Sequence, residues 1–250
     1  MLPIADFHPR TLLTRLGRLL YPARCPVCRE VADENAGLCA GCAHCLPWSP
    51  AACGRCALPL PAAMAAALPL HDASAVRATC GECLRQPPPL QFAQASFLYG
   101  FPLDRLLPRF KFHRDLVCGR LLSQWMLPGC AAAPRPQALL PVPLHAARLR
   151  ERGYDQALEL ARPLARALEL PLRGDLVRLR ATTAQSSLDA VARRRNLRGA
   201  FTVEARRPLP GHVALVDDVM TTGATLHAAA RALHRAGVAR VDAWVCARVP

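Results

Sequence analysis

Lysine is almost absent from this sequence: of 32 basic residues 31 are arginine, and Lys111 is the exception. Arginine and alanine richness on that scale reflects GC-biased coding. The formal net charge of +14 is therefore first a solubility feature and only second an attraction for phosphate-bearing partners. Aromatic residues are scarce too, at 5%. None interleaves with the densest basic run, Arg193, Arg194, Arg195 and Arg198 with Arg206 and Arg207 beyond, and only Phe201 lies near. Base stacking there has little support, and the run fits a lid over a site, a nucleic-acid-facing patch or a solvated helix face. No apolar run suits a membrane span: the longest, Cys56 to Leu70, has 15 residues and carries three prolines. The 24 prolines and 14 glycines follow no period, which excludes a fibrous or coiled-coil protein. With 52% hydrophobic and 20% charged residues, the chain can bury a core, so disorder is excluded as its main description.

Residues 1–24 do not read as a secretory leader. They hold Asp6, His8, Arg10, Arg15 and Arg18, with no continuous apolar stretch and no small-residue cleavage site. Leu12, Leu13, Leu16, Leu19 and Leu20 instead recur at helical spacing, predicting a short amphipathic helix that ends at Tyr21-Pro22, for packing or for a membrane surface. The chain reads as cytoplasmic, where thiols stay reduced.

What the sequence has in quantity is cysteine, and nine of its twelve lie between residues 25 and 83. Eight form pairs two residues apart: Cys25/Cys28, Cys39/Cys42, Cys53/Cys56 and Cys80/Cys83. Each such turn puts two thiolates on one side of a knuckle, two corners of a zinc tetrahedron, and two knuckles close a site. Two structural four-cysteine Zn2+ sites are expected, paired in sequence order; a cross-braced pairing stays open. Cys45 extends the second pair's spacing, so the ligands could slip, with His44 as a neighbouring substitute. Glycine, common just after such knuckles, is replaced by Arg29, Ala43, Ala57 and Leu84. Closed sites of this kind fold the chain and leave no coordination position for chemistry. The isolated Cys118, Cys130 and Cys246 read as buried small hydrophobes.

Loop-like residues 58–70 and Pro87-Pro88-Pro89 precede a second region that holds 24 basic residues against 12 acids. Its most informative stretch runs from His212 to Gly237. Val213 to Val216 predict a buried strand, with Asp217 and Asp218 at its C-terminal end. Val219 to Thr225 follow as a small hydroxyl-rich loop, and then comes a helix with Leu226, Ala229, Ala230 and Leu233 on one face and Gly237 as its stop. A strand, such a loop and a helix N-terminus make an anion cradle: backbone N–H groups and the helix dipole face the anion, threonine hydroxyls add donors, and Gly223 admits close approach. Two adjacent carboxylates suit vicinal hydroxyls, with Mg2+ nearby to offset their charge. Phosphate in the loop and a ribose diol on the acids is the expected arrangement.

Val216-Asp217-Asp218-Val219-Met220-Thr221-Thr222-Gly223-Ala224-Thr225 resembles the phosphoribosyl-pyrophosphate motif of type I phosphoribosyltransferases. Leu140 to Leu144, Arg148 to Ala157, Thr182 to Leu188, Arg193 to Leu197 and Ala200-Phe201 are similar to signatures of the ComF/GntX family. That resemblance covers nearly the whole chain; Asp155 departs from the family's frequent Asn. It implies an α/β protein: residues 1–24 an N-terminal helix, 25–88 a double zinc ribbon, and 89–250 a phosphoribosyltransferase-like parallel sheet flanked by helices. It further implies phosphoribosyl pyrophosphate with Mg2+ as ligand, its 5′-phosphate on Thr221, Thr222, Gly223, Ala224 and Thr225 and its ribose hydroxyls on Asp217 and Asp218. DNA uptake, with single-stranded DNA and competence-machinery proteins as partners, is the associated role; the phosphoribosyl site is then either catalytic toward an unknown acceptor or, in a non-catalytic single-stranded DNA-binding factor, vestigial or regulatory.

Leu140 to Pro143 read as a second buried strand and Gln156 to Leu168 as a helix capped by Asp155. Between them Arg148, Arg150 and Arg152 are expected in a loop at the same sheet edge, where a departing pyrophosphate needs cations. Lys111, between Phe110 and Phe112, stands where ComF-like chains carry a Lys-Phe pair. A compact ammonium is not interchangeable with a guanidinium, so this position is expected to need lysine at the ligand site.

Overall fold

The long apolar runs of the C-terminal region become strands of one parallel sheet. The computed structural model describes residues 23–33, 36–66, 78–180 and 199–250, so the expected N-terminal helix and the 193–198 arginine run lie outside the described residues. The chain divides into two compact units, Met1–Leu46 and Pro47–Pro250.

In the first unit an antiparallel bridge between Arg24 and Val31 closes the first knuckle, inside which the Arg29 N–H donates to the Cys25 carbonyl (3.0 Å). Helix α1, Ala40–His44, carries the second knuckle. Cys39 is its N-cap, and the Cys39 sulfur accepts the Cys42 N–H.

The second unit opens with the Cys53–Cys56 knuckle, then α2 (Ala62–Ala66) and α3 (Gly81–Arg85), the latter capped by Cys80. The main elements follow in the order β1 (Phe92–Leu98), α4 (Leu103–Phe112), α5 (Leu116–Ala131), β2 (Ala138–Pro141), α6 (Ala146–Arg152), α7 (Gln156–Ala167), β3 (Leu176–Arg178), β4 (Phe201–Val203), β5 (His212–Met220), α8 (Ala224–Arg235) and β6 (Arg240–Arg248). The sheet order is β1-β6-β5-β2 with every pairing parallel, while β3 and β4 form a separate antiparallel pair.

Strand side chains alternate between faces, which gives the sheet two apolar layers. Val213, Leu215, Val241, Ala243 and Val245 pack with Leu226, Ala229 and Leu233 of α8 and with Phe201. Leu139, Ala214, Val216, Trp244 and Cys246 are fully buried on the alternate positions. Helix α5 packs on β1 and β6, and α7 on β2 and β5; Ser123 of α5 donates to the Leu160 carbonyl of α7 (3.1 Å). Each buried Leu or Val contributes about 1.5–3 kcal/mol, so burial on both faces is what holds the parallel strands together. Cys53, Cys56, Ala57, Leu60 and Cys83 belong to the first of these layers, and the Ala93 N–H of β1 donates to the Gly54 carbonyl (2.8 Å). The second knuckle pair is thus built into the core of the sheet unit.

Three expectations change in extent. Strand β5 continues four residues past Val216, because Val219 and Met220 still pair with Ala247 and Arg248 of β6. The acids therefore lie inside the strand, and the loop shrinks to residues 221–223. Strand β2 covers Ala138–Pro141 rather than Leu140–Pro143, since its register places Ala138 opposite Val213. Arg148, Arg150 and Arg152 stand on α6 and not in a loop: His145 Nδ1 accepts the Ala147 N–H at its start, and Gly153, at φ 84°, ends it. Cys118, Cys130 and Cys246 are buried, as expected.

Candidate functional site

The alternation of β5 sends its two acids to opposite faces. Asp218, 8% exposed, lies on the parity of Ala214 and Val216, and its Oδ2 meets Lys111 Nζ at 3.1 Å. Lys111 is delivered by the last turn of α4, whose Leu103, Leu106, Leu107 and Phe110 follow helical spacing into the core. Asp217 lies on the parity of Val213 and Leu215. Its Oδ1 accepts the Asp218 N–H (2.8 Å). Burial, with the Asp218 charge beside it, pushes the Asp217 carboxyl up to about 8. Arg178 of β3 lies within electrostatic reach of Asp217 and of Arg148.

A third carboxylate joins them. Asp155 caps α7, its Oδ1 accepting the Leu158 N–H and its Oδ2 the Leu144 N–H (both 3.0 Å). Burial raises its pKa, the backbone N–H groups lower it, and the Asp218 charge adds to the rise. Sequence reasoning assigned Asp155 only a capping role, and nothing in local spacing signals that a residue 63 positions from Asp218 would sense its charge.

Three residues separate β5 from α8. Gly223 holds φ 73°, a left-handed conformation that requires glycine, while a Cβ there would meet only the flexible end of the Met220 side chain (Cε at 2.6 Å) and the His227 ring. Thr222 Oγ1 accepts the Ala224 N–H (3.4 Å), while Thr221 and Thr222 are exposed. Ala224 and Thr225 form the first turn of the helix. On α6, Arg148 and Arg152 share a face and are half-buried, whereas Arg150 is exposed on the other side. The Arg152 guanidinium lies over the Phe112 ring, 5.2 Å from its centroid, next to Lys111. The structure thus gathers Lys111, Asp155, Asp217, Asp218 and the 221–225 turn around the C-terminal end of β5, with Arg148 and Arg152 on one face of α6 and Arg150 turned away.

Sequence reasoning also missed Arg248. At the end of β6 its buried Nε donates to the Cys56 carbonyl (2.9 Å), and its Nη1 donates to the Met220 carbonyl (3.1 Å) and to those of Thr221 and Val249. Burial lowers the pKa of this guanidinium, and the nearby Cys56, Cys83 and Cys80 sulfurs raise it.

Among the described residues, only two groups bring three or more metal-binding atoms together: Cys25, Cys28, Cys39 and Cys42, and Cys53, Cys56, Cys80 and Cys83, each with its sulfurs within 4.8 Å of one another. The pairing is sequential, which removes the cross-braced alternative, and Cys45 stands outside both sets. In the second set the Arg55 and Cys80 N–H groups donate to Cys53 Sγ (3.5 and 3.3 Å). The Cys53 thiol is pushed down by the Cys56 thiol against its own burial, and Cys56 is pushed up in turn. Four sulfurs this close cannot all ionise without a cation among them, and the four-thiolate donor set fits Zn2+. The carboxylates gather no such cage.

A protein of Escherichia coli K12 named DNA utilization protein YhgH is 35% identical over 239 residues, which cover 92% of this chain and 99% of that protein. Competence protein F of Haemophilus influenzae is 34% identical over 235 residues, 90% of this chain and 96% of its own. The chain belongs to the ComF/GntX family. A more distant member, competence protein ComFC of Bacillus subtilis, is 30% identical over 172 residues, 66% of this chain and 69% of its own length. The two parts of the ComF/GntX architecture are each recognisable: residues 16–84 match the double zinc ribbon domain and residues 155–250 the phosphoribosyl transferase domain. The ribbon match crosses the division between compact units at residues 46 and 47, so its second half is a ribbon in sequence and part of the sheet unit in packing. Among the described residues no helix is long and apolar enough to cross a membrane.

Proposed function

We propose that the C-terminal domain binds phosphoribosyl pyrophosphate together with Mg2+ at the end of β5, and that the protein serves DNA uptake from the cytoplasmic side. The observation that carries this reading is the juxtaposition of Asp217 and Asp218 with a three-residue turn that enters a twelve-residue helix through a left-handed glycine. Thr221, Thr222, Gly223, Ala224 and Thr225 take the 5′-phosphate at the positive end of α8. Asp217 and Asp218 take the ribose hydroxyls, and Lys111 neutralises Asp218 until ligand arrives. Arg148 and Arg152, half-buried on one face of α6, meet the pyrophosphate. Among the described residues no three carboxylate oxygens converge there as a cage, which suits a Mg2+ ion carried in on the pyrophosphate oxygens. Such an ion screens the charge that grows on departing pyrophosphate.

The names of the relatives, DNA utilization and competence, support placing this ligand in the handling of incoming DNA. Transfer of the phosphoribosyl group to an acceptor would follow if a nucleophile reaches ribose C1 as pyrophosphate leaves. A second reading, direct single-stranded DNA binding beside a vestigial phosphoribosyl site, draws on the excess of 24 basic residues over 12 acids between residues 89 and 250.

Calorimetric titration with phosphoribosyl pyrophosphate and Mg2+ tests the proposal. Binding to the wild type and at least tenfold weaker binding to the Asp217→Asn/Asp218→Asn double variant are expected; equal binding overturns it. A DNA affinity that does not fall with salt overturns the second reading.

A further inference from the structure

Arg248 is buried, 6% exposed, and among the described residues no carboxylate lies within ion-pair distance of it. Its recorded partners are carbonyls: Cys56 in the second cysteine set, Met220 and Thr221 at the exit of β5, and its neighbour Val249. One rigid fork of donors therefore grips two places at once, the metal knuckle and the start of the phosphate turn. A cavity of about 860 Å³ connects the same places, with Cys56, Cys80, Cys83, Thr222, His227 and Arg248 in its wall.

A buried cation needs an anion. With Zn2+ bound, the Cys53, Cys56, Cys80 and Cys83 set carries four thiolates against two positive charges, a net −2 beside the guanidinium. Without metal nothing ties Cys56 to the other three sulfurs, so the Cys56 carbonyl that Arg248 grips loses its anchor. The grip also has a directional consequence. A peptide unit is planar and trans, so a carbonyl fixed toward Arg248 points the next residue's N–H the opposite way. Holding the Thr221 carbonyl aims the Thr222 N–H away from Arg248, whereas the Met220 carbonyl is also held by the Val249 N–H (3.0 Å).

We propose that Arg248 couples the second cysteine cluster to the phosphate turn, so that the turn presents its N–H groups to an anion only while the cluster holds metal. Arg248 is a positioning residue: it acts on the ligand through the backbone of residues 220–222. This rests on the reading of that turn as a phosphate site. By linkage, phosphate-bearing ligand in the turn also raises the affinity of the cluster for metal.

The test uses the full zinc-loaded chain and its Arg248→Met, Arg248→Lys and Cys83→Ser variants. Amide hydrogen exchange is followed at residues 220–225, with residues 213–216 of β5 as the internal reference and bound zinc counted in parallel. Arg248→Met is expected to keep two zinc ions per chain yet exchange at least tenfold faster at 220–225, with 213–216 unchanged. Arg248→Lys should fall between it and wild type, because a single ammonium cannot span knuckle and turn. Cys83→Ser should reproduce the effect through metal loss. If Arg248→Met also loosens 213–216, the lysine variant decides by the same criterion. Turn exchange equal to wild type in the zinc-replete arginine variant that keeps β5 protected overturns the coupling. Phosphoribosyl pyrophosphate with Mg2+ is then added to wild type, and zinc release at equilibrium should need a higher chelator concentration. Variants that loosen the turn while the ligand leaves both exchange and zinc release untouched uphold the coupling and overturn the ligand assignment instead.

Discussion

Arg29 and Ala57 each follow the closing cysteine of a knuckle, and each holds a left-handed backbone, φ 72° and 56°. That conformation disfavours a residue with a Cβ by about 1–2 kcal/mol relative to glycine. The two positions differ in what the side chain returns. Arg29 is exposed, so Arg29→Gly should stabilise the first ribbon by about 1 kcal/mol, seen as a higher chelator concentration needed to strip its zinc. Ala57 is buried, 1% exposed, and its methyl contributes about 0.8 kcal/mol to the core, so Ala57→Gly should come out close to neutral in urea unfolding. Equal effects at both sites would contradict this account. Ala43 and Leu84, the other two positions after knuckles, sit inside α1 and α3 and need no such conformation. At Asp217 the argument concerns pH. Its carboxyl ionises near 8 in the folded chain against an ordinary 3.8, so between those values the folded state holds a proton that the unfolded chain releases. Stability must then fall as pH rises through that window. Asp217→Asn removes the dependence, so the urea midpoint of wild type should drop relative to the variant between pH 5 and pH 8, without added ligand. A constant gap across that range would refute the assignment.

Element by element, the sequence announces chemistry better than extent. Apolar runs and Gly237 locate β5 and α8, but the register that carries β5 to Met220 is set by β6, a strand outside the window. Arg148, Arg150 and Arg152 look like loop because arginine alternation lacks an apolar stripe; the helix there is short and has no buried residue, so no stripe was needed. The Lys111–Asp218 pair and the Asp155 charge are invisible for a similar reason, since each joins residues far apart in the chain. The cap of α7 was legible, and its detail explains why aspartate stands there. Both carboxylate oxygens accept backbone N–H groups, Leu158 from the helix and Leu144 from the preceding connection. Asparagine has one acceptor oxygen, so Asp155→Asn leaves one of these N–H groups facing an amide NH2. A loss of about 1–2 kcal/mol is expected from that unpaired donor, measured as a lower urea midpoint, and Asp155→Ala should lose more. A neutral Asp155→Asn would show that one of the two bonds contributes nothing.

For the molecule as a whole, the two cysteine sets have the same ligands and different surroundings. Cys25, Cys28, Cys39 and Cys42 lie in the compact unit Met1–Leu46, whereas Cys53, Cys56 and Cys83 share a core with the parallel sheet. Cysteine spacing specifies ligands but says nothing about what Ala57, Leu60 and Leu90 pack against, which is why the two ribbons read alike in sequence. Metal binding contributes folding free energy wherever the site exists only in the folded state. In the first unit that energy is confined to a small segment. In the second it is added to a layer that includes β1, β5, β6 and α8, so the sheet unit should respond to it cooperatively. Cys39→Ser should therefore reduce bound zinc from two to one per chain and leave the main thermal transition where it was. Cys83→Ser should reduce zinc by the same amount and lower that transition, because removing a ligand leaves close-packed thiols without a compensating charge. Calorimetric melting of the two variants, with zinc counted in each, decides the matter: equal shifts would mean that the second cluster is as independent of the sheet as the first, whatever side chains they share.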